Sequence, residues 1–208
     1  FRCADAVVSY MLSRPGNDGM TSVNPVVGET NDGDLSDIRA RPITEEHVFG
    51  ALQGATEGPV PEGCVGAGTG TSALGFKAGI GTSSRMVRLP HSGETATIGV
   101  LVQANFSGVL TVLGVPIDRA TALAGAGAAG EDDEAERGNS CMIVVATDAA
   151  LDARQLGRVS RRAVFAMGQV GALLPRKRGL CARLFHFMAA GSPGREPGPA
   201  LYRGAGGR

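Results

Sequence analysis

Six consecutive apolar residues, Cys141-Met-Ile-Val-Val-Ala146, begin directly after Ser140 and give way to Thr147-Asp148. A run of this length has the size of a strand, and it leaves no alternating polar side for water, so it predicts a buried strand over Met142 to Thr147. A chain with such an element must bring other secondary structure over it. At 208 residues and 43% apolar composition there is enough material for one substantial core.

What precedes the strand is its chemical opposite, the acidic run Glu131-Asp-Asp-Glu-Ala-Glu136 followed by Gly138-Asn139-Ser140. A solvated linker that stops at a small hydroxyl residue opening a buried strand is how a self-cleaving hydrolase presents a new N-terminal nucleophile. Gly-Asn-Ser is also ordinary turn chemistry, and spacing alone does not separate the two readings.

Composition removes several function classes. Twenty basic and twenty acidic residues leave no net field, so the chain has no electrostatic footprint for nucleic acid. Apolar stretches such as Ile98-Gly-Val-Leu-Val102 are strand-sized, far short of the roughly 20 residues of a spanning helix, and no membrane association is expected. The four cysteines, Cys3, Cys64, Cys141 and Cys181, are scattered without metal-ligand spacing, which predicts neither a metal site nor a disulfide framework. Phe1 is preceded by no initiator Met and followed by no secretory pattern, so the start reads as truncated or processed.

Along the chain, residues 1–23 show no clear period beyond the apolar run Ala6 to Tyr10, and Pro25 to Gly33 predicts a brief strand ending in an Asn/Asp/Gly turn. Thr44 before Glu45 and Glu46 marks a helix start, with Val48, Ala51, Leu52 and Ala55 as its apolar stripe and Gly58-Pro59 as its stop. Val65 to Arg85 is glycine-rich with small and apolar residues alternating. Thr97 to Pro116 predicts two strands flanking the tight segment Ala104 to Gly108, a hairpin. Beyond the linker at 122–130 and the acidic run, Asp152 and Gln155 form a capping-box start for a helix whose stripe is Leu156, Val159, Ala163, Met167 and Val170. Arg154, Arg158, Arg161 and Arg162 fall on its outer, solvated face. Mixed helices and strands without repeating βαβ units predict an α+β layered fold.

Four blocks, in order, carry a family resemblance: Pro25-Val-Val-Gly-Glu-Thr-Asn-Asp-Gly33 with Leu35-Ser-Asp-Ile-Arg39; Gly63-Cys-Val-Gly-Ala-Gly-Thr-Gly-Thr71 running into Gly75 to Arg85; Gly99-Val-Leu-Val-Gln-Ala-Asn-Phe106; and Asn139 to Asp148 with Ala153-Arg-Gln-Leu156. Together they resemble the self-processing aminopeptidases that include the L-aminopeptidase/D-amidase/D-esterase and the β-peptidyl aminopeptidases. The resemblance implies an αββα sandwich, two stacked sheets between helical layers. It implies one partial domain over 1–208 that cuts itself between Asn139 and Ser140 into an α-chain part, 1–139, and a β-chain part, 140–208. Ser140 would be the nucleophile, its freed α-amine the base, and Asn105 the oxyanion donor; no cofactor is implied. The substrates implied are short peptides or amino-acid amides and esters, and the assembly implied is a homo-oligomer of processed αβ units.

The chain departs from the family pattern in three places. Asp34 stands where the family often has an aromatic residue that supplies a tyrosine hydroxyl, and an ionised acid cannot donate as a phenol does. A Ser-Gly-Glu or Ser-Gly-Asp element after the last helix falls here on Arg178 and Leu180. Codons for Leu174 to Ala182 read one base later can spell Tyr-Pro-Gly-Ser-Gly-Asp-Tyr-Ala, so residues 173–208 are expected to be aberrant or disordered, the product of a frame slip. The resemblance also implies strands before Phe1.

Three other readings stand beside this one. An ornithine-acetyltransferase-like acyltransferase would use threonine where Ser140 stands. A nucleotide loop at Gly66-Ala-Gly-Thr-Gly70 would have to run into a helix, whereas Phe76-Lys-Ala-Gly-Ile80 reads as strand. A catalytically incomplete relic fits Asp34, Arg178 and Leu180. His47, His91 and His186 suggest no catalytic triad and read as structural or solvated.

Overall fold

The computed structural model describes residues 1–90, 92–124, 140–172 and 181–188. Its elements in chain order are α1 (Arg2–Leu12), α2 (Glu45–Gln53), β1 (Ser72–Ala73), β2 (Phe76–Lys77), β3 (Ile80–Arg88), β4 (Thr95–Gln103), β5 (Thr111–Val112), β6 (Val115–Pro116), α3 (Arg119–Ala124), β7 (Ser140–Thr147), α4 (Ala153–Ser160), α5 (Arg162–Gln169) and β8 (Cys181–Met188). This is a mixed helix and strand fold.

The apolar run forms β7, which lies between two neighbours in the sheet order β3-β4-β7-β8. Its pairing with β4 is antiparallel, Ile98 opposite Thr147 and Gln103 opposite Met142, and its pairing with β8 is parallel. Interior position in the sheet accompanies the unbroken apolar character: Cys141, Ile143 and Val145 are buried on one face, and on the other Met142 is buried while Val144 and Ala146 are half-buried. On one face α4 and α5 pack, where Met167 joins Leu74, Phe106, Cys141, Ile143 and Val145 in the core, with Val159 and Ala163 against it.

The helical half follows the sequence pattern with one break. Asp152 accepts from the Gln155 backbone N–H at 2.7 Å and the Gln155 side chain accepts from the Asp152 N–H at 2.8 Å, the reciprocal capping box expected there. The single predicted helix is two, separated at Arg161, which caps α4 and starts α5. Leu156 and Met167 are buried while Arg154, Arg158, Arg161 and Arg162 are exposed, as the stripe requires. Val170, the last stripe residue, is exposed.

Four expectations change. The hairpin involving β4 is made with β3 on its N-terminal side, closed where the Leu89 N–H donates to Glu94 O at 2.8 Å. Residues after Gln103 leave the sheet instead of returning along it: Gly108, at φ 153, is pressed so closely on the end of α5 that an added Cβ would lie 2.1 Å from Gly171 O. The short β5–β6 ribbon then turns back on itself through Leu113-Gly114. Pro25 to Gly33 forms no strand, and the polar groups of Thr30 and Asn31 are met by side chains rather than a ladder.

The other two changes are helical. Arg2–Leu12 is a helix whose Cys3, Ala6, Val7, Tyr10 and Met11 fall at spacings of 3, 1, 3 and 1, a helical face missed in the sequence because small and polar residues interrupt it. In α2 Phe49 packs edge-to-face with Tyr10 at 5.5 Å, and of the expected stripe Val48 is half-buried while Ala51, Leu52 and Ala55 are exposed. That helix ends earlier than expected, at Gly54, whose N–H donates to Gly50 O.

Candidate active site

Ser140 is the first residue of β7, in register with Cys181 of β8 on one side and lying two residues before the β4 ladder begins at Met142 on the other. Its Oγ accepts two hydrogen bonds, from the Asn31 backbone N–H at 3.1 Å and from Asn105 Nδ2 at 3.1 Å. Its own N–H donates to Asn105 O at 3.1 Å. A hydroxyl that accepts twice keeps its proton for transfer elsewhere, and two donors on the oxygen favour the negative charge an attacking alkoxide carries.

Asn105 is 4% exposed and is held at every polar atom of its side chain. Nδ2 also donates to Asn31 O at 2.9 Å, and Oδ1 accepts from the Ser72 N–H at 3.3 Å. Only this orientation of the amide matches donors with acceptors, so the network itself assigns Nδ2 to the serine side. The structure therefore brings Ser140 and Asn105 into contact; Asn139 lies outside the described residues.

Two groups that the sequence reading passed over complete this cluster. The Asn31 backbone amide belongs to a quoted block, but its role is invisible to side-chain reasoning. Gln103, two residues before Asn105, is buried and donates through Nε2 to Thr30 Oγ1 at 2.9 Å and to Ala67 O at 3.0 Å. A polar residue closing an otherwise apolar strand was its only sequence signal.

The glycines of Gly66 to Gly70 serve close packing. An added Cβ on Gly68 would lie 2.7 Å from Gly63 O, and one on Gly70 would lie 2.6 Å from Ser36 Oγ. The 3-10 turn Gly66–Gly68 leads into β1 and β2, so no helix N-terminus is presented to a phosphate. His47 caps α2, its Nδ1 accepting from the Thr44 N–H at 3.1 Å. Asp34 is exposed in the turn after Gly33. His91, Arg178, Leu180 and the side chain of His186 lie outside the described residues. Among the described residues no group of three or more His, Cys, Asp or Glu could hold a metal, and no helix is long and apolar enough to cross a membrane.

Cys141 adjoins the serine yet is chemically quiet. Burial pushes its thiol up to about 11, against a smaller opposing effect of hydrogen bonding with the Asn105 backbone. A thiol at that value is protonated at neutral pH and does not compete with the hydroxyl as a nucleophile.

The chain is 44% identical over 185 residues to the beta-peptidyl aminopeptidase BapA of Sphingosinicella xenopeptidilytica, covering 83% of this chain and 45% of that protein. Among solved structures, it matches the L-aminopeptidase D-Ala-esterase/amidase of Ochrobactrum anthropi at 34% identity and TM-score 0.68, over 90% of this chain and 48% of that one. That enzyme is described as a prototype for the serine aminopeptidases and a variant of the Ntn hydrolase fold. A Burkholderia sp. beta-aminopeptidase matches at 32% identity and TM-score 0.73, over 100% of this chain and 54% of that one. The chain thus spans about half the length of the relatives it matches. The model of peptidase family S58 matches residues 1–182, and the chain belongs to that family.

Proposed function

We propose that the chain is the catalytic portion of a self-processing serine aminopeptidase or amidase, releasing N-terminal residues from short peptides or amino-acid amides and esters through an acyl-enzyme on Ser140. The observation that carries this reading is the double contact between Ser140 and Asn105, with hydroxyl and amide nitrogen both fixed by one residue.

In the precursor, Ser140 Oγ attacks the Asn139 carbonyl carbon, the peptide C–N bond breaks and its nitrogen takes up a proton to become the free Ser140 α-amine, and water then hydrolyses the Asn139–Oγ ester to give the Asn139 carboxylate and the free Ser140 hydroxyl. That amine has an ordinary pKa near 8, so a substantial fraction is neutral at physiological pH and can take the hydroxyl proton. Substrate attack then repeats the chemistry, with the substrate's amine or alcohol leaving and water releasing the acyl group. The oxyanion formed at each attack is two bonds from Oγ, within reach of the donors already gathered there. Asn105 Nδ2 is the side-chain donor in this scheme.

The same reading divides the chain into 1–139 and 140–208 and stacks a second sheet on the face carrying Leu101, Val144 and Ala146. An open cavity of about 630 Å³ along that face, bordered by Gly58 to Val60, supports this αββα arrangement. It further includes assembly into an oligomer of processed units. Residues 173–208 are read as frame-slipped, which sequencing of the gene tests; the family match includes residues 173–182 of this segment and none beyond.

Intact mass spectrometry of the chain beside Ser140→Ala tests the central claim. Two fragments meeting at Asn139/Ser140, absent from the variant, are expected. A single uncut chain in both, inert toward aminoacyl amides, favours the incomplete form suggested by Asp34, Arg178 and Leu180.

A further inference from the structure

We infer that Gln103 is a positioning residue for the nucleophile, acting through Thr30 to hold the Asn31 backbone N–H on Ser140 Oγ. The inference rests on the reading of Ser140 as nucleophile for its catalytic meaning, but its geometry stands apart from it.

Residues 21–32 form no helix or strand, so no ladder of backbone hydrogen bonds fixes them to the sheet. Yet one N–H and one C=O of this segment, both from Asn31, must meet Ser140 and Asn105 at 3.1 and 2.9 Å. These two bonds join the segment to the reacting residues themselves, Ser140 and Asn105. The Gln103 to Thr30 bond adds a third tie, from the end of β4 rather than from Ser140 or Asn105, one residue before Asn31.

Gln103 is suited to the task by its place in the sheet. It ends β4 opposite Ile80 of β3 and opposite Met142 of β7, two residues from Ser140 along that strand. Its backbone is therefore tied on both sides, and its side chain is buried. The second Nε2 bond, to Ala67 O, uses the remaining donor and fixes the amide plane. A rigid strand end thus reaches an irregular segment through one polar side chain, and positioning to within a fraction of an ångström is what catalysis requires of such supports.

The test uses Gln103→Leu, Thr30→Val and Thr30→Ser in the full chain, with amide exchange of Asn31 read by NMR beside the rate of Asn139/Ser140 cleavage. Thr30→Val removes the acceptor with little change of shape, and Thr30→Ser keeps it. Asn31 exchange is expected to quicken about 3- to 10-fold in Gln103→Leu and Thr30→Val, the loss of one hydrogen bond, and to return toward wild type in Thr30→Ser. Cleavage should slow in the same two variants and recover in the third. Unchanged Asn31 exchange in a folded Thr30→Val chain overturns the inference, whether or not the chain cuts itself. Altered exchange in a chain that never cuts supports the positioning role and removes the catalytic reading instead.

Discussion

Asn105 holds Ser140 at both ends, its backbone carbonyl on the serine N–H and its side-chain Nδ2 on the serine Oγ, each at 3.1 Å. One buried residue thereby fixes the rotamer of Ser140, and with it the placement of the hydroxyl relative to the backbone nitrogen that the proposed cleavage would turn into an α-amine. In a nucleophile that carries its own base, that placement is the catalytic geometry. Because the backbone half of the contact survives side-chain substitution, the two halves can be separated.

Replacing Asn105 with alanine keeps the carbonyl contact and removes the donor. Turnover on an aminoacyl amide should fall about 10²- to 10³-fold, the usual loss for one oxyanion donor, with KM little changed. Asn105→Asp should lose as much, because an ionised carboxylate matches the shape but donates nothing and faces Asn31 O. Steady-state kinetics of the two variants decide the matter; wild-type turnover in either removes Asn105 from the chemistry.

Glycine positions in the block before β4 separate into packed and open ones. A Cβ on Gly79 would lie 2.1 Å from Gly63 O, a backbone atom paired with Ile80 and unable to yield, whereas Gly81 has nothing within 4 Å. Gly79→Ala should therefore destabilise the fold by about 1–3 kcal/mol. Gly81→Ala, in the same strand region, should be neutral or stabilising by up to about 1 kcal/mol. Urea unfolding of the two variants compares them directly, and equal midpoints would contradict the close approach.

The elements that could be read from the sequence were those whose local pattern and tertiary role agree. Cys141 to Ala146 is apolar throughout because it lies inside the sheet, and Asp152 with Gln155 is a local cap that needs no distant partner. The helix Arg2–Leu12 was lost because its apolar face is built largely from weak signals, Cys3 and Ala6, and its best contact is with Phe49 on another helix. The β3–β4 pairing was missed because β3 carries the polar, exposed run Thr82-Ser-Ser-Arg85, which weakens its strand signal. At the site, Ser140 and Asn105 were visible through the quoted blocks. Gln103, Thr30 and the Asn31 amide were not, since their meaning arises only when an irregular segment crosses the strand ends.

The cap on α4 offers a measure of how much that layer contributes. Asp152→Ala removes the 2.7 Å bond to the Gln155 N–H and leaves its partner donor to water at an exposed helix end. A loss of about 1 kcal/mol is expected. Asp152→Ser, another good cap, should recover most of it in the same denaturant titration. Full stability in Asp152→Ala would mean that α4 is held by Leu156 and its packing alone.

Cys141 gives the pH dependence its sign. Its thiol is raised from an ordinary 9.0 to about 11 in the fold by burial. Between those values the unfolded chain has released the proton and the folded chain has kept it, so the folded state binds more protons and stability falls as pH rises. The contribution is intact below about pH 9 and is lost progressively toward pH 11, amounting to at most about 2.7 kcal/mol for two units. Cys141→Ala starts from a lower stability because it empties core volume, yet its stability should decline less steeply over this window. Alkylation checks the same physics at pH 8: the exposed Cys64 should react with iodoacetamide in the folded chain while Cys141 reacts only after unfolding. Parallel stability curves for the wild type and Cys141→Ala from pH 9 to 11 would show that the thiol is not the titrating group, and rapid labelling of Cys141 in the native chain would show that the start of β7 opens to solvent.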